Sequence, residues 1–146
     1  MRISSKGRYA IAALTEMACD VTNHYITVAT LARRLDISKV YLEQVFSLLK
    51  RGGLVLSGKG AQGGYLLNNK PEHITVYNIL SPIELSLSER TERATEGLSP
   101  EMGTTVDELV FRRLDEAIFK TLTSITLADL AADVQRRRDG SSMYYI

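Results

Sequence analysis

Residues 27–67 read TVATLARRLDISKVYLEQVFSLLKRGGLVLSGKGAQGGYLL, and this stretch decides the fold. It contains two short helical patterns, a break between them at residues 36–38, and then a glycine-rich hairpin pattern. Thr27 and Ser38 are each placed to begin a helix, because a hydroxyl oxygen there accepts a hydrogen bond from an early backbone N–H. The order of these elements predicts a winged helix-turn-helix, and therefore a mainly α fold with a small β-wing.

The second of these helices, expected over about residues 39–50, has two chemically different faces. At about 100° per residue, one continuous arc is apolar. It consists of Tyr41, Leu42, Val45, Phe46, Leu48 and Leu49. The opposite arc consists of Lys39, Glu43, Ser47 and Lys50, with Val40 and Gln44 at its border. We expect the apolar arc to pack on the core, which leaves the polar arc free to face a partner or solvent.

The polar arc and the hairpin carry side chains suited to DNA. Gln44 can pair with adenine, Glu43 can accept a hydrogen bond from cytosine N4, and Lys39 can reach guanine or a phosphate. In the hairpin tip, the Lys59 ammonium and the backbone of Gly60 can lie along a phosphate strand or in a minor groove. Taken singly, such a helix is usually a solvated helix and such a hairpin is usually a turn. Their succession favours DNA binding.

Three segments of the chain resemble one family of proteins. They are MRISSKGRYA at residues 1–10, ISKVYLEQVFSLLKRGGLV at 37–55 and GKGAQGGYLL at 58–67. Together they resemble the Rrf-two family of bacterial transcription regulators, which includes the iron–sulfur cluster regulator and the cysteine-metabolism repressor. The likeness continues more loosely through residues 125–130. This resemblance implies a long C-terminal dimerisation helix and binding to palindromic or partly palindromic operators.

The resemblance also implies roles for individual residues. Ser38, Tyr41, Glu43 and Gln44 match recognition-helix positions of the family, and Lys59 stands at a wing position that is often arginine. Lysine is a point charge, whereas arginine offers a planar fork that suits a narrow minor groove. We therefore expect the wing to contact DNA with weaker sequence discrimination.

The segment after the wing departs from the cluster-binding members of the family. Those members carry three cysteines there, but residues 88–104 read SERTERATEGLSPEMGT and contain none. The corresponding positions lie near Glu92, Leu98 and Thr104, whose side chains provide no thiolate for an iron–sulfur cluster. We therefore predict no cofactor. The resemblance makes this segment the effector region, where a partner protein or a small ligand can act.

The charge distribution and the composition restrict the classes of function. The 146-residue chain has a net charge of only +1, so DNA binding has to depend on local basic patches. No signal peptide and no apolar run of about 18 residues is visible, which predicts a cytoplasmic protein without a membrane partner. His24 and His73 lack the spacing of a metal site, and no nucleophile–base pair or phosphate-binding loop stands out. We predict neither an enzyme nor a metal protein.

Ser4 or Ser5 can cap the first helix, which is expected to run to about Asp20 with Val21 on its buried side. Lys6 and Arg8 in its first turn oppose the helix dipole, which predicts a DNA phosphate nearby or simply two solvated charges. Cys19 is the chain's single cysteine, so no disulfide forms within the chain. Two interpretations of Cys19 stay open, namely a small buried apolar residue and a redox-sensing thiol.

The second half of the chain is expected to be helical. A helix begins at residue 74 or 75 and is limited by Pro82, and a loop covers 86–103. A long helix then runs from Thr104 or Thr105 to about Leu122, followed by a short closing helix over 125–134 and a polar tail from Arg136. Apolar residues recur along the long helix at three- and four-residue steps: Val106, Leu109, Val110, Leu114, Ala117, Ile118 and Leu122. This stripe predicts a C2 dimer, with packing on the chain's own core as the alternative.

These observations lead to one predicted function and one alternative. The prediction is a homodimeric, sequence-specific DNA-binding transcription regulator, favoured as a repressor, that binds a pseudo-palindromic operator without an iron–sulfur cluster. The predicted parts are a DNA-binding domain at 1–82, an effector-region loop at 83–103, dimerisation helices at 104–135 and a tail at 136–146. The alternative is a protein-interaction module that docks a partner protein through its winged helix.

Overall fold

The computed structural model describes residues 2–60, 63–87, 89 and 97–143, without the side chains of residues 142 and 143. Its helices are α1 (Ser5–Cys19), α2 (Val28–Leu35), α3 (Lys39–Arg51), α4 (Val76–Leu80), α5 (Pro100–Val106), α6 (Arg112–Ser124) and α7 (Leu127–Met143). Its strands are β1 (Val55–Ser57) and β2 (Tyr65–Leu67). Short 3-10 helices cover Pro71–His73 and Leu85–Leu87, and one π-helical turn covers Asp107–Phe111. The mainly α fold with a small wing is confirmed.

Local hydrogen bonds start the two central helices where the sequence predicts. The Thr27 hydroxyl accepts a hydrogen bond from the Thr30 N–H at 3.1 Å and begins α2. The Ser38 hydroxyl accepts one from the Tyr41 N–H at 3.4 Å and begins α3. Between the two helices, Asp36 adopts a left-handed conformation with φ of 54°, which ends α2 and turns the chain. The helix-turn-helix is therefore encoded by its caps and its turn.

The wing is a small antiparallel sheet that is extended by one more pairing. Strands β1 and β2 pair Val55 with Leu67 and Ser57 with Tyr65. On the other edge of β2, Ile26 exchanges two backbone hydrogen bonds with Tyr65, at 3.0 and 2.8 Å. Gly64 is required beside this pairing. Its φ is 103°, and a Cβ there would lie 3.0 Å from the Ile26 carbonyl oxygen.

The core lies between α1, α2, α3, β1 and α4, and Leu127 of α7 closes it. Its largest fully buried side chains are Phe46, Leu14, Leu31, Leu42, Leu49, Ile79, Leu80, Leu127, Val45 and Val55. The core therefore takes four residues of the predicted apolar arc of α3, while Tyr41 and Leu48 are half-buried. Burial of one such side chain contributes about 1.5–3 kcal/mol, so this arc fixes how α3 is seated.

The prediction that Val21 is buried was wrong. Helix α1 ends at Cys19, and the N–H of its C-cap residue Asp20 donates to the Met17 carbonyl oxygen. Val21 lies in the turn that follows and is 90% exposed. The helical pattern that predicts Val21 as buried continues past Cys19, the last residue of the helix.

The C-terminal helices are longer than predicted. The long helix begins at Pro100 instead of Thr104, because Ser99 caps it and accepts a hydrogen bond from the Met102 N–H at 3.3 Å. Proline suits the first turn of a helix, where an N–H has no partner in any case. The chain then stays helical through the π-helical turn to Ser124. Pro100 and Gly103 had been interpreted as loop residues.

The predicted polar tail is also wrong over its described part, because α7 continues to Met143. Its arginines have partners on helices. Arg136 and Arg137 pair with the Asp133 carboxylate one turn earlier, and Arg138 donates to Glu16 of α1 at 2.8 Å. The hydrogen bond from Arg137 lowers the pKa of Asp133. Among the described residues, no helix combines the length and the apolar character needed to cross a membrane.

Candidate nucleic-acid interface

The polar arc of α3 is exposed. Lys39, Glu43, Gln44, Ser47 and Lys50 all face solvent. The Lys39 ammonium lies 3.8 Å from a Glu43 carboxylate oxygen, one helical turn away, and both side chains are more than half exposed. Such an exposed pair contributes at most about 0.5 kcal/mol, so either group can exchange this contact for a base or a phosphate.

The other two predicted recognition residues also serve the fold. The Ser38 hydroxyl accepts the first capping bond of α3, and its side chain is exposed at the helix start. The half-buried Tyr41 ring packs edge-on against Tyr9 of α1, with ring centroids 5.5 Å apart. Edge-to-face pairs contribute about 0.5–1.5 kcal/mol beyond area burial. Tyr41 therefore helps to hold α3 against α1 at the end of α3 that carries Lys39 and Glu43.

Val40 is an apolar residue on this surface to which the sequence pattern assigned no role. The pattern places it at the border of the polar arc, and its side chain is 66% exposed. At about 100° per residue, Val40 points between Glu43 and Gln44 rather than toward the buried arc.

The wing presents its predicted residues to solvent. Lys59 and Gly60 are both exposed, and Gly60 adopts a φ of 137° that L side chains rarely reach. At the base of the tip, the Gly58 N–H donates to the Gly64 carbonyl oxygen at 2.8 Å. A Cβ on Gly58 would meet the Tyr25 ring at 2.9 Å, so the tip rests closely on the chain that precedes α2. Residues 61 and 62, between Gly60 and Gly63, lie outside the described part of the wing.

The start of α1 already holds a carboxylate. Glu84 accepts hydrogen bonds from the Ser4 N–H at 2.8 Å and from the Ser4 hydroxyl at 2.5 Å. Gly7 leaves room for this carboxylate, because a Cβ there would lie 2.6 Å from a Glu84 oxygen. A DNA phosphate bound at the Ser4 N–H would be repelled by the negative charge of the Glu84 carboxylate. The half-buried Lys6 and the exposed Arg8 are the groups at this end that remain suited to a phosphate.

The apolar stripe of the long helix divides into two parts. Leu109, Val110, Leu114 and Ala117 are exposed, whereas Val106, Ile118 and Leu122 are half-buried. Beside them, Phe119 packs edge-on against Tyr77 of α4 with centroids 5.1 Å apart, although 54% of its side chain is exposed. Contact with α4 thus covers only part of this helix. An extended apolar surface of this kind marks an interaction site.

Cys19 is half-buried between α1 and α7. Its thiol donates a weak hydrogen bond to the Ala131 carbonyl oxygen at 3.8 Å. Burial raises the pKa of the thiol, and the nearby Arg138 guanidinium opposes this effect only in part. A raised pKa reduces the thiolate fraction and therefore the reactivity at neutral pH. This environment favours a packing role for Cys19.

The elements described above define a class of protein. Two capped helices joined by a tight turn, with an exposed polar face on the second helix and a glycine-rich hairpin after it, form a winged-helix DNA-binding domain. Comparisons with known proteins define the family within this class. Residues 3–133 match the Rrf2 family, described as an iron-dependent transcriptional regulator.

Individual relatives agree with this match. The chain is 35% identical over 134 residues to the HTH-type transcriptional regulator IscR of Aliivibrio salmonicida, an alignment that covers 91% of this chain and 79% of that protein. Among solved structures, CymR, the global cysteine regulator of B. subtilis, superposes with a TM-score of 0.75 at 34% identity, covering 90% of this chain and 97% of CymR. IscR of T. potens superposes with a TM-score of 0.70 at 32% identity, covering 92% and 88%.

The chain belongs to the Rrf2 family of transcription regulators. It is a DNA-binding regulator and not an enzyme. The residues do not fit an iron–sulfur cluster held by three cysteines, because the sequence contains only Cys19. Of the three positions near which ligands were predicted to correspond, Leu98 and Thr104 provide no thiolate, and Glu92 lies outside the described residues. Within the described ranges, no group of three histidine, cysteine, aspartate or glutamate side chains converges on a possible metal site.

Proposed function

We propose that this chain is a homodimeric, sequence-specific transcription regulator that represses genes from a pseudo-palindromic operator in the cytoplasm. One observation carries the proposal. The buried arc of α3, with Phe46 and Leu42 fully buried, holds the opposite polar arc outward as a rigid surface. A rigid helix that presents charged and amide side chains is what the major groove accommodates.

Base discrimination is assigned to the exposed arc of α3. Glu43 and Gln44 provide an acceptor for cytosine N4 and a bidentate partner for adenine. Lys39, Lys50 and Ser38 lie on or beside this arc and can contact phosphates, as can Lys6, Arg8, Lys59 and the Gly60 backbone elsewhere. Phosphate contacts position the protein, whereas base contacts specify the sequence. A net charge of +1 means that these local groups must provide the attraction.

The dimer is assigned to the exposed part of the apolar stripe. Leu109, Val110 and Leu114 are each more than half exposed in the single chain. A second copy that packs its equivalent helix on this surface removes these side chains from water, with C2 symmetry as the simplest closed arrangement. The two copies of α3 would then enter major grooves one helical turn, or a multiple of it, apart.

We assign regulation to the segment between the DNA-binding part and the dimerisation helices. The predicted effector region at 83–103 covers most of the connection between α4 and α5 and the first residues of α5, and Glu84 near its start is bonded to Ser4 at the start of α1. A partner protein or a small ligand that moves this segment would act on both the DNA-binding part at 1–82 and the dimerisation helices. Repression would follow if the bound dimer excludes polymerase from a promoter.

In vitro selection of DNA by the purified full chain, at moderate salt and with no metal added, tests the proposal. We expect enrichment of a two-fold-symmetric site, and an affinity that falls steeply as salt rises, because phosphate contacts release counterions. If a folded, dimeric protein enriches no sequence, the proposal of an operator-binding regulator is wrong. Weak, salt-insensitive DNA binding would instead favour docking of a protein partner on the winged helix.

A further inference from the structure

Val40 differs from every other residue of α3. It combines a large apolar side chain with an exposed fraction of 66%, whereas the other large apolar residues of this fully described helix are buried or half-buried. It follows the exposed Lys39, near the end of the helix that begins at Ser38. Its side chain lies on the outer surface rather than on the core.

The neighbours of Val40 are the groups to which we assign base reading. At about 100° per residue, Val40 lies roughly 60° from Glu43 and 40° from Gln44, and both of these side chains are exposed one turn further along. An apolar contact therefore lies between an acceptor and a bidentate amide. A major groove that contacts Glu43 and Gln44 therefore also contacts the methyl groups of Val40.

The major groove offers such a side chain one apolar partner among the four ordinary bases. Guanine, cytosine and adenine present hydrogen-bonding atoms there, and thymine adds a C5-methyl group. A valine cannot satisfy an amine or a carbonyl oxygen, so its contact with the other bases leaves a polar group without a partner. Contact with thymine instead removes two apolar surfaces from water.

We propose that Val40 contacts the C5-methyl group of one thymine in each operator half-site and thereby specifies that base pair. This inference rests on the proposed function and names one of its specificity determinants. The same methyl chemistry is present in 5-methylcytosine, and the experiment below distinguishes the two sources. Because Val40 donates and accepts no hydrogen bond through its side chain, its contribution differs in kind from those of Glu43 and Gln44.

A methyl-deletion cycle tests this role with the full-length protein and its selected operator. Each thymine is replaced, symmetrically in both half-sites, by deoxyuridine, which lacks only the C5-methyl group. Affinities are measured by fluorescence anisotropy at fixed salt for the wild-type protein and for Val40→Ala. At one thymine position we expect deoxyuridine to weaken wild-type binding about four-fold per half-site, the factor for one buried methyl group, and about fifteen-fold for both. For Val40→Ala, the same replacement should have no effect.

Two further variants test whether the thymine preference depends on the methyl groups at position 40. Val40→Thr keeps the shape of the side chain and one of its two methyl groups, so we expect it to retain part of the thymine preference. Val21→Thr makes the same change at a side chain that is 90% exposed outside the helix-turn-helix, and it should retain the wild-type pattern. Circular dichroism and thermal unfolding verify that Val40→Ala and Val40→Thr are folded.

In a second series, each cytosine of the operator is replaced by 5-methylcytosine. If a deoxyuridine penalty is equal in the wild-type protein and Val40→Ala, or if neither series shows a Val40-dependent effect, the role of Val40 is wrong while operator binding stands. If only 5-methylcytosine produces a Val40-dependent gain, the assignment to thymine is wrong. If the folded wild-type protein binds no DNA sequence preferentially, both the proposed function and this role are overturned.

Discussion

The outer arc of α3 and the exposed part of the apolar stripe on the long helix expose different chemistry. The outer arc of α3 carries charged and amide groups that water can solvate fully, together with Val40. The exposed part of the stripe carries Leu109, Val110 and Leu114, which water solvates poorly. The first surface suits a wet, charged partner that is bound and released, whereas the second suits a lasting apolar contact.

Away from both surfaces, Glu16 of α1 links α2 to α7. Its carboxylate accepts a hydrogen bond from Arg138 of α7 at 2.8 Å and lies 3.8 Å from the Arg34 guanidinium of α2. Glu16 is largely covered, with 13% of its side chain exposed, while the two arginines are about half exposed. The helix-turn-helix and the last helix are therefore joined through α1 by ionic contacts as well as by the apolar core.

The largest expected effect comes from placing a charge on the apolar surface. Leu114→Glu should convert the proposed dimer to a monomer, because each copy would bury a carboxylate in the apolar interface. Loss of the second half-site should weaken operator binding by at least about 100-fold. Sedimentation velocity and anisotropy measure the two effects. Val21→Glu is the matched control and should remain dimeric, and a Leu114→Glu protein of dimeric mass would refute the assignment of this surface.

The next effect concerns base discrimination on α3. Glu43→Ala should reduce the preference for operator over random DNA by about 10-fold to 100-fold, because one base-reading acceptor is lost from each half-site. Overall affinity for random DNA should change little. Competition binding with both DNAs measures this ratio. Glu72→Ala, at an exposed glutamate outside α3, should leave the ratio intact, and equal losses on both DNAs in Glu43→Ala would contradict the role of Glu43.

A smaller effect is expected in the wing. Lys59→Ala should weaken binding to all sequences by a similar factor of several-fold, because a phosphate contact carries little sequence information. The slope of log affinity against log salt should become shallower by about 2 for the dimer, one contact per copy. A salt titration measures this slope. Lys70→Ala removes an exposed lysine from a loop after β2 and should leave the slope unchanged, whereas a sequence-selective loss in Lys59→Ala would argue for base reading by the wing.

The smallest effect is pH-dependent and concerns the end of α1. Hydrogen bonds from the Thr22 hydroxyl and N–H, with a further one from Arg34, lower the pKa of Asp20 below its ordinary value of 3.8. The ionised form is thus favoured in the folded state, so Asp20 stabilises the fold above its ordinary pKa. This contribution is lost as the pH falls through the lowered value.

Asp20→Asn should therefore unfold at a slightly lower temperature than the wild-type protein at pH 7, and the difference should shrink toward pH 3. Thermal unfolding at several pH values measures this. Asp139→Asn, at an exposed carboxylate on α7, serves as the control and should show no comparable trend. A difference that is the same at pH 7 and pH 3 would mean that the charge of Asp20 has no part in it.

Much of the DNA-binding half could be predicted because its signals are local. The caps Thr27 and Ser38 act on N–H groups three residues away, and the apolar arc of α3 repeats within two turns. In the C-terminal half, the same local reasoning placed the helix start four residues too late, because Pro100 and Gly103 resemble loop residues unless the Ser99 cap is recognised.

The sequence by itself determined the helix-turn-helix, the wing and the absence of cluster cysteines, because hydrogen-bonding caps, apolar periodicity and side-chain chemistry act over a few residues. The tertiary structure alone decided that Glu84 bonds to Ser4 across 80 positions and that Arg138 reaches Glu16 across 122. Such features depend on how whole helices pack, and packing is the sum of many contacts between residues that are distant along the chain.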